Sequence, residues 1–290
     1  MVFINLKKLS GMLKVLKAGF YTTVQDSGRF YFRNKGVPVS GVMDEMTVFK
    51  VNSLLENEVS AAVLEITMTG PTLIFEEETY MALGGAEMSA TLNNLPIQNF
   101  KVYQIEVGDI LSFGRLDKGF RSYLGVREGF TSKKILGSRS FYKPITKENR
   151  LRDNDVVPFL YNKLFQPKIS EIKVDSFLDD DKLEVSKGPE FSLMTDKHLE
   201  EIFSKSFTVA HENNRMAYQI KESVSSHDVS MLTSATIPGT VQLTPAGKII
   251  ILMKDGQTTG GYPRILQLTD KAICILAQKR GGDLVNFKLV

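Results

Sequence analysis

The sequence predicts a mainly β protein with a few short helices. Short apolar segments alternate with Gly, Pro, Asn and Asp along most of the 290 residues, as in a β-barrel or β-sandwich. The regular alternation of strands and helices that a doubly wound parallel sheet requires is not found. Asn93-Asn94 predicts a tight hairpin turn, since Asn tolerates positive φ. The clearest strand segments are 72–75, 80–83, 89–92 and 249–253.

Two segments predict helices. In residues 44–56, Val48 and Val51 belong to a set of apolar positions at helical spacing. A second helix is predicted for 195–204. The apolar segment that follows Asp270 fits either a third short helix or a buried strand.

A weak internal repeat predicts two related β modules. Residues 108–113 (GDILSF) resemble residues 282–287 (GDLVNF). Residues 161–182 mix Lys, Pro, Ser and Asp with little periodicity, so they are predicted to be a linker. The first module is then expected at 12–160 and the second at 183–290.

Composition excludes several classes of protein. The formal charge of +3 is too small and too evenly spread to predict a nucleic-acid or membrane surface. Cys274 is the only cysteine, so an intrachain disulfide is impossible, and its apolar neighbours predict that it packs as a small hydrophobic residue. The short apolar N-terminus does not fit a signal peptide, which predicts a cytoplasmic location.

The usual catalytic motifs are missing from the sequence. His198, His211 and His227 lack the spacing of a metal site, and His198 is expected on the surface of its helix. Neither a Gly-x-Ser-x-Gly elbow nor a Gly-x-x-x-x-Gly-Lys-Ser/Thr phosphate loop occurs. The sequence therefore does not predict an independent phosphate-loop nucleotide site.

Polar clusters rich in glycine are the strongest candidates for a functional site. Turn formation alone would explain each of them. Alternatively, their Gln, Thr and Arg side chains bind a small carboxylate or amide, since the planar arginine fork matches a carboxylate. The clusters are 22–29 with 36–44, 119–124 with 136–140, 213–218, and 255–263.

These clusters resemble motifs of the KipA/PxpC family, also described as allophanate hydrolase subunit 2 or biotin-dependent carboxyltransferase-like. The sequence departs from the family pattern at two positions. Phe141 directly follows the segment 137–140 (GSRS), and Ala217 replaces the usual Gly. Members commonly begin close to Met12, so residues 1–11 are predicted to be an N-terminal extension. The matching segments are 13–19 with 23–29, 36–44, 64–67 with Gly70-Pro71, 137–140 (GSRS), and 257–263 (QTTGGYP).

The resemblance implies two tandem cyclophilin-like β-barrel modules and a role as one subunit of an ATP-dependent 5-oxoprolinase. Such an enzyme opens 5-oxoproline to glutamate while ATP is hydrolysed, and the subunit is expected to be inactive alone. The expected partners are a KipI/PxpB-like subunit and a LamB/YcsF-like (PxpA) subunit. ATP is expected in the assembled complex.

The resemblance also supports the positions of nine candidate site residues in one shared cleft. Asp26, Gln257 and Thr258 are predicted to be catalytic: Asp26 would position water, and the other two would bind the lactam. Either Arg139 or Arg215 would hold the substrate carboxylate. The remaining predicted substrate-binding residues are Gln25, Arg29, Thr259 and Tyr262.

Two other functions remain open at this point. The chain would act as a regulator if it sequesters a KipI-like inhibitor of a kinase. It would act as a carboxyltransferase component if it serves a biotin-dependent urea carboxylase, although the sequence contains no biotin-carrier Met-Lys-Met segment.

Overall fold

β-strands dominate the computed structural model, which describes residues 9–161, 165–229 and 231–290. The described chain divides into two units that do not follow sequence order. The first contains the described residues up to Ser27 together with Thr47–Asp175, and the second contains Gly28–Met46 and Ser176–Val290. The prediction of a mainly β fold with a few short helices is confirmed.

The first unit is built on two sheets that enclose an apolar core. Leu13, Leu64, Phe75, Leu124 and Phe159 are among its fully buried members. Within the described residues one sheet has the order β11-β1-β4-β9-β6-β7 and the other β2-β3-β10-β5-β8, all in antiparallel pairs. The strands are β1 Leu9–Lys17, β2 Tyr21–Gln25, β3 Val63–Thr67, β4 Thr72–Phe75, β5 Thr79–Glu87, β6 Thr91–Leu92, β7 Leu95–Pro96, β8 Val102–Ile105, β9 Ile110–Ser112, β10 Lys118–Val126 and β11 Val156–Tyr161.

The helix predicted at 44–56 is confirmed as α1, Glu45–Leu54. From Thr47 onward it belongs to the first unit. Its Val51 packs against glycines of two neighbouring strands, since a Cβ atom at Gly84 or Gly125 would lie 2.7 or 2.6 Å from the Val51 methyl groups. A larger residue at either position would therefore push the helix away from the sheet.

The predicted hairpin is also confirmed. Asn93 and Asn94 connect β6 to β7 with φ angles of 51° and 66°. Two successive residues with positive φ are what a type I′ turn requires, and asparagine adopts that conformation more readily than most residues.

The second unit surrounds its own apolar core with a larger sheet of order β13-β20-β12-β19-β16-β17-β14 and a small ribbon of β15 and β18. Met43 lies in this core with Val185, Val241 and Leu276, which explains why Gly28–Met46 groups with this unit. Its elements are β12 Lys182–Lys187, α2 Asp196–Ser204, β13 Phe207–Thr208, β14 Ala217–Ser223, β15 Ser234–Ala235, β16 Thr240–Leu243, β17 Lys248–Leu252, β18 Thr259–Gly260, β19 Arg264–Leu268, α3 Asp270–Ala277 and β20 Leu284–Leu289.

The second predicted helix is confirmed as α2, but the expectation for His198 was wrong. His198 is 5% exposed rather than on the surface. Its Nδ1 accepts from the backbone N–H of Thr195 at 3.3 Å, and Nε2 lies 3.0 Å from the carbonyl oxygen of Ser225. It completes a capping box with the N-cap Thr195, a role usually filled by Glu or Gln, which explains why the pattern was missed.

The apolar segment after Asp270 is a helix, α3, with Thr269 as its N-cap. Cys274 lies on it and is 2% exposed, as the sequence predicted. Burial raises the pKa of the Cys274 thiol to about 12. We therefore expect iodoacetamide at pH 8 to leave the thiol of the folded chain unmodified and to alkylate it fully in denaturant. Mass spectrometry of the intact chain measures both, and rapid alkylation of the folded chain would contradict the packing described.

The predicted domain boundaries stay predictions. Of the predicted N-terminal extension, residues 1–8 lie outside the described residues, and residues 9–11 belong to β1. Residues 162–164 of the predicted linker also lie outside them.

Candidate functional site

Asp26 organises one group of candidate residues in the first unit. It follows directly on β2 and is 6% exposed. Its Oδ1 accepts hydrogen bonds from the hydroxyls of Ser138 at 2.6 Å and Ser140 at 2.7 Å, and its Oδ2 accepts from the backbone N–H of Arg139 at 2.6 Å. Hydrogen bonds to a carboxylate are roughly twice as strong as neutral ones, so Asp26 fixes the position of the GSRS loop.

Gln25 ties the same loop to β2. It is fully buried, and its side-chain amide donates to the hydroxyl of Thr23 at 3.1 Å and to the carbonyl of Phe141 at 3.3 Å. The backbone N–H of Phe141 in turn donates to the carbonyl of Val24 at 2.9 Å. The end of β2 and residues 138–141 therefore form one hydrogen-bonded block.

Arg139 is the cation that this block presents. Its backbone is fixed by Asp26, and its Nη1 donates to the carbonyl of Ser132. Within the described part of the chain its guanidinium forms no ion pair. It lines a cavity of about 350 Å³ in the first unit. The remaining N–H groups of Arg139 can therefore bind a carboxylate, which the guanidinium fork matches in geometry.

Arg215 differs from Arg139 because a carboxylate in the second unit already pairs with it. Its Nε donates to Asp255 Oδ2 at 2.8 Å and its Nη2 to Asp255 Oδ1 at 3.3 Å. Nη2 also donates to the carbonyl of Gly41 at 2.6 Å. Both members of the pair are less than a tenth exposed. Arg215 thus fastens the segment around Gly41 to the loop that leads to Gln257.

Arg29 lies on the other end of that segment. Its side chain is fully buried, and its backbone N–H donates to the carbonyl of Val39 at 2.6 Å. Gly28 precedes it with a φ of 107°, and a Cβ atom there would lie 2.8 Å from the same Val39 carbonyl oxygen. The turn at the start of the segment therefore requires glycine.

The QTTGGYP motif forms a second group around a residue that the sequence analysis missed, Gln242. Gln242 is 1% exposed in the middle of β16. Its Nε2 donates to the carbonyl of Tyr262 at 3.4 Å, and its Oε1 accepts from Gln257 Nε2 at 3.5 Å. A Cβ atom at Gly260 would lie 2.5 Å from Gln242 Nε2 and 2.8 Å from Gln257 Nε2, so the first glycine of the pair leaves room for the two amides.

Backbone and hydroxyl groups of the β15 region hold the same motif. The hydroxyl of Thr236 donates to the carbonyl of Gln257 at 2.5 Å, and the backbone N–H of Thr236 donates to the carbonyl of Thr258 at 3.0 Å. Thr259 pairs with Ala235 between β18 and β15. The carbonyl groups are therefore engaged, while the side chains of Gln257 and Thr259 remain exposed.

The predicted site residues thus fall into separate groups. The first unit brings together Gln25, Asp26 and Arg139. The second unit contains Arg29, Arg215 and the motif residues Gln257, Thr258, Thr259 and Tyr262. The prediction that all nine share one cleft stays a prediction. A polar residue inside the apolar segment Val241-Gln242-Leu243 was the signal that could have found Gln242.

Neither a metal site nor a membrane-spanning helix is found in the part of the chain that the structure describes. No group of three or more His, Cys, Asp or Glu residues there is placed to hold a metal ion. None of the described helices has the length and apolar character needed to span a bilayer.

The sequence profile of the carboxyltransferase domain, subdomains A and B, matches residues 35–289. The chain belongs to this family. Among its relatives, the 5-oxoprolinase subunit designated C of Escherichia coli strain K12 is 31% identical over 282 residues, covering 95% of this chain and 90% of that protein. The protein of the same name from Haemophilus influenzae is 30% identical over 287 residues, covering 96% and 91%.

Members of the carboxyltransferase domain family also occur as parts of much longer chains. The urea amidolyase of Saccharomyces cerevisiae is 27% identical over 304 residues, which cover 95% of this chain and 16% of that protein. The crystal structure of TTHA0988 matches 96% of this chain with a TM-score of 0.86 at 25% identity, and that of the urea amidolyase of K. lactis matches all of it with a TM-score of 0.85 at 26% identity. This chain spans 55% of the TTHA0988 chain and 19% of the K. lactis chain.

Proposed function

We propose that this chain is one subunit of an ATP-dependent 5-oxoprolinase, which opens 5-oxoproline to glutamate. The observation that carries the proposal is the similarity to 5-oxoprolinase subunits from two bacteria, at 31% and 30% identity over nearly the whole chain. Because the relatives are named as subunits, the chain is inactive alone in this proposal. Its partners are a KipI/PxpB-like subunit and a LamB/YcsF-like subunit, and the complex is cytoplasmic.

The chemistry explains why ATP is needed. The amide carbonyl of a five-membered lactam is a weak electrophile, so water attacks it slowly. ATP bound to the complex would supply the phosphoryl group that activates the carbonyl oxygen, and the overall reaction would release ADP, phosphate and glutamate. The sequence has no phosphate loop, so no phosphate contact is assigned to this chain.

In this proposal Arg139 binds the carboxylate of 5-oxoproline. Its position on a fixed loop and the absence of an ion pair within the described residues support the assignment. Asp26, which the sequence analysis predicted to position water, holds the loop that carries Arg139 through three hydrogen bonds and acts in this proposal as a positioning residue. A fixed binding group lowers the entropic cost of orienting the substrate.

The second unit contributes the other predicted residues. Gln257 and Thr258 bind the lactam, with Thr259 and Tyr262 as neighbouring binding residues. Arg215 is neutralised by Asp255, so its part is to hold the chain segment between Arg29 and Gly41 in place.

The similarity to urea amidolyases favours a second candidate, a carboxyltransferase component that acts on urea. One experiment separates the two. The chain is co-purified with the KipI/PxpB-like and LamB/YcsF-like subunits, and ADP release is measured with 5-oxoproline or with urea as the added compound. Stimulation by 5-oxoproline alone supports the oxoprolinase. Stimulation by urea, together with biotin detected by avidin, would support the carboxyltransferase instead.

A further inference from the structure

The cavity of about 350 Å³ in the first unit has a charge pattern that the proposed substrate does not explain. Its lining comes from three chain segments: Asp26 after β2, residues 56–62 between α1 and β3, and residues 127–139 after β10. A cavity of this volume lies at the small end of the range for ligand sites, about 300–1,000 Å³.

Most of the charged groups in the lining are held by neighbours. Glu56 Oε2 lies 3.1 Å from the ammonium of Lys168. Glu128 Oε1 lies 3.4 Å from Arg127 Nη2. The carboxylate of Asp26 accepts three hydrogen bonds from the GSRS loop. The charges of these residues are therefore engaged by the fold.

Three charged groups remain. The side chains of Lys134 and Glu58 line the cavity and make no hydrogen bond or ion pair with any residue that the structure describes. The guanidinium of Arg139 donates a hydrogen bond to the carbonyl of Ser132 and forms no ion pair with a described residue. The cavity thus offers two cations and one carboxylate to a ligand.

This pattern is complementary to an acidic α-amino acid. Glutamate carries two carboxylates and one ammonium at neutral pH, whereas 5-oxoproline carries one carboxylate and an uncharged lactam nitrogen. Ring opening therefore creates a second anion and a cation in the ligand. The cavity supplies one extra cation, Lys134, and one anion, Glu58, beyond the Arg139 that the substrate carboxylate requires.

We propose that this cavity binds an acidic α-amino acid, and that its ligand is the glutamate formed by the reaction. Arg139 binds the α-carboxylate, Lys134 the γ-carboxylate and Glu58 the ammonium. The choice of glutamate rests on the proposed function, while the acidic amino acid as ligand class rests on the cavity alone. Electrostatic complementarity of this kind gives selectivity, because an unmatched charge on either side is penalised.

Calorimetric titration of the full chain, without ATP or partners, tests the proposal. The ligands are L-glutamate, L-aspartate, 5-oxoproline and glutarate; glutarate keeps both carboxylates and lacks the ammonium. We expect the tightest binding for L-glutamate. Arg139→Gln is expected to weaken it about tenfold or more, the loss of one charge-assisted hydrogen bond. Glu58→Gln is expected to remove the preference for glutamate over glutarate.

Two further variants distinguish the loss of a ligand contact from a loss of folding. Lys134→Gln changes an exposed side chain that makes no hydrogen bond or ion pair with the described residues, so it is expected to leave the fold intact. It should weaken the binding of glutamate and leave the binding of 5-oxoproline unchanged. Lys133→Gln, exposed on the same loop and outside the cavity lining, is the matched control and should bind like the native chain.

The outcomes are separable from those of the enzyme assay. Equal affinity for glutamate and 5-oxoproline, or native glutamate affinity in both Arg139→Gln and Lys134→Gln, would overturn the proposal. Tighter binding of L-aspartate than of L-glutamate would overturn the choice of glutamate. Selective glutamate binding by a chain whose complex shows no 5-oxoprolinase activity would support the site and reject only the proposed function.

Discussion

Asp255→Ala is expected to lower the free energy of unfolding by about 3–5 kcal/mol, because it removes a carboxylate that pairs with the buried guanidinium of Arg215. Arg215 is only 5% exposed, so solvent screens its charge poorly. Denaturant unfolding of the purified chain measures the change. We expect a double variant, Arg215→Met with Asp255→Leu, to recover most of the loss, since two apolar side chains can replace a buried ion pair.

An exposed ion pair of the second unit provides the control. Lys288 and Glu184 lie 3.7 Å apart with side chains 60% and 40% exposed. Lys288→Ala is expected to change the free energy of unfolding by less than about 1 kcal/mol. An effect of Asp255→Ala as small as that of Lys288→Ala would show that Arg215 does not depend on Asp255, and the carboxylate of the substrate could then be assigned to Arg215 instead.

Arg139→Gln is expected to raise the KM for 5-oxoproline at least about tenfold in the assembled complex. A charge-assisted hydrogen bond contributes about 1.5–3 kcal/mol, and 1.4 kcal/mol corresponds to a tenfold change in affinity. The KM of Arg139→Lys should lie between those of the native complex and of Arg139→Gln, since lysine keeps the charge and loses the planar fork. Initial rates of ADP release at varied 5-oxoproline measure KM and kcat separately.

Lys133→Gln is the control for this prediction as well, because Lys133 is exposed on the same loop. Its KM is expected to equal that of the native complex. An unchanged KM in Arg139→Gln would remove Arg139 from the substrate site. A lowered melting temperature accompanying the raised KM would instead indicate that the loop had moved, so thermal unfolding is recorded for every variant.

Much of the fold follows from local sequence patterns. The helical spacing of Val48 and Val51 predicted α1, and Asn93-Asn94 predicted the hairpin of β6 and β7. Local patterns could not predict that Gly28–Met46 belongs with the C-terminal half. That assignment depends on contacts distant in sequence, such as the place of Met43 in the second core and the hydrogen bond from Arg215 to Gly41.

The candidate site was predictable only in part. The resemblance drew attention to Asp26 and to the GSRS motif, and the structure joins them directly. The resemblance could not reveal that Arg215 forms an ion pair, because its partner Asp255 is 40 residues away in the sequence. Glu58 and Lys134 carry no motif, and their interest arises from the cavity that they line. The sequence signal for Gln242, a polar residue between Val241 and Leu243, also fits a strand whose alternate side chains face solvent, so it does not by itself predict a buried amide.

The central claim is that the chain is a necessary part of a 5-oxoprolinase. The direct test is glutamate formation from 5-oxoproline and ATP by the reconstituted complex, with each subunit omitted in turn. We expect glutamate and ADP to form together in the complete mixture, and neither to form from 5-oxoproline when this chain is left out. Undiminished glutamate formation without it would contradict the proposed function.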